Sequence, residues 1–115
     1  MAIQQLQQQD SEMSECIDNC SEAAQAAEVC ADACIEEGSE EMAQCIRLCR
    51  DVADLTSMHA RFMSRGSAFH AELAAVCVDA CEACRDECEQ FEMAECQTCV
   101  EMLEPCIESC RSMAA

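Results

Sequence analysis

The chemistry this chain can offer lies in its cysteines, fourteen in 115 residues, and their spacing is regular. Six Cys-x-x-x-Cys pairs occur: Cys16/Cys20, Cys30/Cys34, Cys45/Cys49, Cys77/Cys81, Cys84/Cys88 and Cys106/Cys110. Two Cys-x-x-Cys pairs, Cys81/Cys84 and Cys96/Cys99, overlap or join them. Residues three or four apart on a helix stand one above the other, with Cβ atoms about 5–6 Å apart. Two thiolates so placed reach one soft ion between them. Cu(I) is soft, favours thiolate and thioether, and accepts low coordination numbers, so the spacing predicts several Cu(I) ions per chain. If thiolates serve in twos, the count allows about seven ions, and bridging allows more.

Other uses of cysteine fit less well. A disulfide needs closely placed, suitably aimed Cβ atoms, which parallel vectors on one helix do not supply, although links between helices remain open. Structural zinc takes four ligands in a tetrahedron, usually from loop knuckles. Bacterial iron–sulfur motifs end in Cys-Pro, whereas Pro105 here precedes Cys106. Zinc or iron–sulfur binding and thiol–disulfide redox or chaperone-like exchange stay as the alternatives.

A second set combines His59 and His70 with Met13, Met58, Met63 and Met113. In an antiparallel bundle these gather at one end, away from most of the thiols. His59, Met63 and His70 are the candidate ligands of an entry or exit port, being weaker copper ligands than thiolate. Met58 falls just off the seam and reads as packing. No nucleophile-plus-base arrangement is visible, which predicts a binding protein and not an enzyme.

The elements that must position these residues are helical. Three Phe, no Trp, no Tyr, two Gly and one Pro leave little material for sheets, while the helix formers Ala, Glu, Gln, Met and Leu are plentiful. Gly38-Ser39 and Gly66-Ser67 each read as a helix-ending glycine followed by a capping serine. A third, unmarked break falls near residues 89–92. The reading is an all-α, antiparallel up-down-up-down four-helix bundle with helices over about 10–37, 40–65, 68–89 and 93–113. Residues 1–9 form an extension or a frayed first turn. Steps of three and four place every cysteine on an inward seam. Pro105, inside the last helix, is expected to kink it.

Composition narrows the partners. A net charge of −18, with 24 acidic residues against six basic ones, disfavours nucleic acid and anionic membranes. No stretch reaches the roughly 18 apolar residues of a membrane span. The amino terminus lacks the basic and apolar regions of a secretory signal, so the expected location is cytoplasmic, where thiols stay reduced.

Particular stretches carry a resemblance. Glu41-Met-Ala-Gln-Cys-Ile-Arg-Leu-Cys-Arg-Asp51, Arg61-Phe-Met-Ser-Arg-Gly-Ser-Ala-Phe69, Cys77-Val-Asp-Ala-Cys-Glu-Ala-Cys-Arg-Asp-Glu-Cys88 and Glu92-Met-Ala-Glu-Cys-Gln-Thr-Cys99 are similar to the four-helix-bundle copper storage proteins. The resemblance covers about residues 10–113. It implies Cu(I) held inside the bundle and a homotetramer of bundles, in a cytosolic or an exported form; a copper chaperone is a candidate partner for a chain that carries Cu(I). Val52, Thr56, His59, Ala74 and Leu103 stand on seam positions where fuller members of that family carry cysteine. The resemblance therefore implies a reduced capacity and a dry patch in the middle of the second helix.

Overall fold

The computed structural model describes residues 11–115; the extension expected over residues 1–9 lies outside the described residues. Four helices follow in order: α1 Ser11–Glu37, α2 Ala43–Ser64, α3 His70–Cys88 and α4 Ala94–Met113. α1 lies against α2 and α4, and α3 against the same two. Short connections make sequential helices antiparallel, giving the up-down-up-down bundle. The molecule is a rod of 49 × 23 × 17 Å.

Each boundary has a local cause. Gly38, at φ 75°, ends α1 and donates its N–H to the Cys34 carbonyl at 3.1 Å. Ser39 then accepts from the Glu41 N–H and opens a 3-10 turn, Glu40–Met42, so the α-helix proper starts three residues later than the sequence reading places it. Gly66, at φ 64°, donates to the Met63 carbonyl while Ser67 donates to that of Phe62. This double closure satisfies the last carbonyls of α2 and needs a left-handed residue at its centre. Ser67 Oγ accepts from the Phe69 N–H, and this turn delays α3 to His70.

The unmarked third break is made by side chains. Phe91 packs onto the core, and Gln97 Nε2 donates to the Phe91 carbonyl at 2.7 Å. Met93 leaves the turn extended, with ψ 137°, and α4 begins at Ala94. α4 continues through Pro105, whose carbonyl accepts from Ser109 Oγ at 3.0 Å and Asn19 Nδ2 at 3.4 Å.

The interior is unusual in what fills it. Leu103, Ile107 and Val52 are the large aliphatic side chains fully buried there; most of the rest is cysteine and alanine. A buried thiol behaves as a small hydrophobe, so the sulfurs themselves supply core contacts. Outside, Arg85 pairs with Glu104 at 3.1 Å and Arg111 with Glu82 at 2.8 Å, tying α3 to α4 at the surface.

Candidate metal centre

All fourteen cysteines are free and completely buried. The seam on each helix places them. Within single helices, Sγ atoms meet at 4.0 Å in Cys16/Cys20 and Cys45/Cys49, and at 3.9 Å in Cys84/Cys88 and Cys106/Cys110. Four of the six Cys-x-x-x-Cys pairs thus touch directly.

Contacts between helices complete the array, and no sequence spacing announces them. Cys45 on α2 and Cys88 on α3 approach to 3.4 Å, Cys30 on α1 and Cys96 on α4 to 3.5 Å, and Cys49 and Cys84 to 3.6 Å. Cys34 reaches Cys96 at 3.7 Å and Cys45 at 3.9 Å. These residues, with Cys99, form one cluster of eight thiols at the end that holds the α1–α2 and α3–α4 turns. Three four-sulfur groups within it have all their ligand atoms inside 4.8 Å: Cys30/Cys45/Cys49/Cys88, Cys30/Cys34/Cys45/Cys96 and Cys49/Cys84/Cys88/Cys99.

A second cluster sits at the opposite end. Cys110 lies 3.8 Å from Cys16 and 3.6 Å from Cys20, and Cys106 lies 3.8 Å from Cys20. Cys77 and Cys81 face this cluster from α3, with Cys110 and Cys106 as their main electrostatic neighbours. Cys77 also reaches the Leu55 carbonyl at 3.5 Å.

His59 belongs to this second cluster. Its Nδ1 lies 3.5 Å from Cys20 Sγ and 3.6 Å from Cys110 Sγ, and these three with Cys16 form a compact four-ligand group. The sequence places His59 at one end of the bundle; the fold carries it inside the sulfur array. His70 stacks on it, with ring centroids 6.2 Å apart and planes inclined by 14°. His59 Nε2 and His70 Nδ1 are both buried without a hydrogen-bond partner, so each ring keeps one nitrogen uncommitted. Met63 is buried, while Met13 and Met113 are half-buried and pack against the core. Met58 is exposed and takes no part in the interior.

Crowding sets the acidity of the thiols. The hydrogen bond with Cys106, then burial, push Cys81 well above the ordinary thiol value, and the bond with Cys110, then burial, do the same for Cys77. Burial is the main cause of the rise at Cys34. Cys99 goes the other way, lowered by its neighbours Cys30, Cys49, Cys84 and Cys88; Cys106 is lowered likewise by Cys110, Cys20 and Cys81. Within each cluster the shifts run in both directions, because neighbouring thiols share hydrogen bonds while burial penalises the charged form. A soft cation entering such a cluster replaces protons and neutralises the charge that burial penalises.

Comparison with known proteins agrees with this chemistry. A family model described as copper storage protein matches residues 9–115. YhjQ, an uncharacterized cysteine-rich protein of Bacillus subtilis strain 168, is 39% identical over 101 residues, covering 87% of this chain and 94% of that protein. The structure of Cu(I)-bound copper storage protein BsCsp3 is 37% identical across 90% of this chain and 99% of that one, with a TM-score of 0.85. A cytosolic copper storage protein from Streptomyces lividans, described during loading with five coppers, is 29% identical across 90% of this chain and 92% of that one, with a TM-score of 0.82.

Proposed function

The chain belongs to the copper storage protein family, and from that premise we propose that it stores several Cu(I) ions on the fourteen thiolates of its interior. The observation that carries this reading is the complete burial of every cysteine in its free form, with sulfurs from different helices 3.4–4.0 Å apart. An interior lined by soft donors and closed to water favours Cu(I) over harder ions and shields it from oxidation and solvent. The protein gives no redox or hydrolytic step to its cargo; binding and release are its work.

His59, Met63 and His70 serve as the port in this reading. Two stacked imidazoles with free nitrogens and a buried thioether form weaker ligands leading to Cys20 and Cys110. Weak-to-strong ordering lets an arriving ion be passed inward by ligand exchange. The homotetramer rests on the family resemblance, and a copper chaperone is the candidate partner for Cu(I) exchange. A cytoplasmic location agrees with the cytosolic relative from Streptomyces lividans. Residues 10–115 act as one storage domain.

The test is an anaerobic Cu(I) titration of the reduced protein against a competing chromophoric chelator. Several equivalents should be taken from the chelator per chain, about seven if thiolates act in pairs. Uptake of one equivalent or less overturns the reading.

A further inference from the structure

The sulfur array is interrupted. Between Cys20 and Cys30, α1 turns Ala23 and Ala27 inward; between Cys49 and His59, α2 presents Val52 and Thr56; between Cys99 and Cys106, α4 presents Leu103. All five are completely buried. Thr56 Oγ1 donates to the Val52 carbonyl at 2.7 Å, so its hydroxyl is turned back onto its own helix. At 1.5 Å per residue, the sulfur-free interval is roughly 15 Å on α1 and 10 Å on α4. Only α3 carries sulfur through, with Cys81 and Cys84 one turn apart.

The contacts divide the same way. Among the described residues, no sulfur–sulfur hydrogen-bonding contact joins one cluster to the other. Cys84 touches Cys49 at 3.6 Å and Cys88 at 3.9 Å, both on the eight-thiol side.

We propose that the store is two Cu(I) compartments, six thiols with His59 on one side and eight thiols on the other, separated by an aliphatic wall and connected through Cys81 and Cys84. This rests on the Cu(I)-storage reading. An ion in the wall would lie in an apolar interior without ligands, where an uncompensated charge is strongly disfavoured. A bridging thiolate cannot span 10–15 Å. Passage between the compartments runs by ligand exchange on α3: a Cu–S bond to Cys84 forms as the bond to Cys81 breaks. The proton leaving Cys84 is balanced by one taken up at Cys81, and copper stays Cu(I) throughout. Each compartment accordingly fills with its own affinity, and damage to one leaves the other intact.

Two measurements test this. Anomalous diffraction from crystals of the wild-type chain, loaded with Cu(I) in steps to saturation, should place copper in both clusters and none between Val52, Thr56 and Leu103 at any loading. In solution, Cys45→Ser/Cys88→Ser should lose copper from the eight-thiol cluster, while the ions held at Cys20 and Cys110 keep their affinity within threefold. Copper lodged in the wall, or a change of more than threefold at the Cys20 side, overturns the two compartments while leaving storage standing. Uptake of one equivalent or less by the wild type removes the storage reading itself, and the compartments with it. The diffraction experiment needs no variant, so a poorly folded double mutant does not rescue the proposal.

Discussion

Cys20 and His59 are 39 positions apart in the chain, yet Cys20 Sγ lies 3.5 Å from His59 Nδ1. The contact joins α1 to α2 across the bundle and makes an imidazole part of a sulfur cluster. Because Cys110 lies equally near, at 3.6 Å, the histidine faces the place where two thiolates converge.

His59→Leu separates the ligand role of this ring from its packing role. Leucine keeps much of the volume and removes both nitrogens. The buried Nε2 has no partner, and leaving such a group unsatisfied costs about 1–3 kcal/mol. The apo variant should therefore be as stable as the wild type or more so in denaturant unfolding. Its Cu(I) affinity at the Cys16/Cys20/Cys110 group should fall about tenfold, a loss of about 1.4 kcal/mol per ion. Unchanged affinity would reduce His59 to a packing residue.

Copper should stabilise the fold, since its ligands are gathered only in the native state. Ligand at 100 times its dissociation constant contributes about 2.7 kcal/mol per site. For a domain of this size that corresponds to a rise in Tm of about 10 °C or more. Cys45→Ser/Cys88→Ser, which removes the closest sulfur pair, should show a clearly smaller rise. Differential scanning calorimetry with and without Cu(I) reads both.

Leu103 is among the largest side chains fully buried in an interior built mostly of cysteine and alanine. Leu103→Ala should destabilise the apo protein by about 2–5 kcal/mol through lost transfer energy and the cavity left behind. Against a typical total of about 5–15 kcal/mol, this brings the apo form close to unfolding. Cu(I) should restore much of the stability, because the thiolate sites do not include Leu103. Thermal unfolding followed by circular dichroism gives the comparison.

The apo protein should lose stability as pH rises past the ordinary thiol value. Cys34, Cys77 and Cys81 have pKa values raised by burial and by their neighbours. For such groups the native state holds its protons where the unfolded state has already released them. Their contribution is complete below the unfolded value of 9.0 and is lost as pH climbs from there toward the folded values. Cys99 and Cys106, lowered in the fold, act in the opposite sense and add stability above the unfolded value. Raised thiols are the more numerous, so the apo Tm should fall between about pH 9 and pH 11. Cu(I)-loaded protein, with its thiols already deprotonated onto metal, should show a flatter profile.

Much of this protein is set by local sequence. Steps of three and four put the thiols on one face of each helix, because 3.6 residues make a turn. Gly38 and Gly66 mark two helix ends, because only glycine takes their left-handed backbone at little cost. The expected helices over about 40–65 and 68–89 run Ala43–Ser64 and His70–Cys88, shortened where Ser39 and Ser67 close turns that no periodicity reveals.

What the tertiary structure alone decides is which sulfurs meet. Cys45 with Cys88, Cys30 with Cys96 and Cys20 with His59 depend on the rotation and axial offset of whole helices, which are fixed by how their side chains interdigitate. Periodicity places Ala23, Ala27, Val52, Thr56 and Leu103 on inward seams one helix at a time. Only the packing of three helices at a common height makes them a wall, and only the unbroken run on α3 leaves Cys81 and Cys84 to cross it.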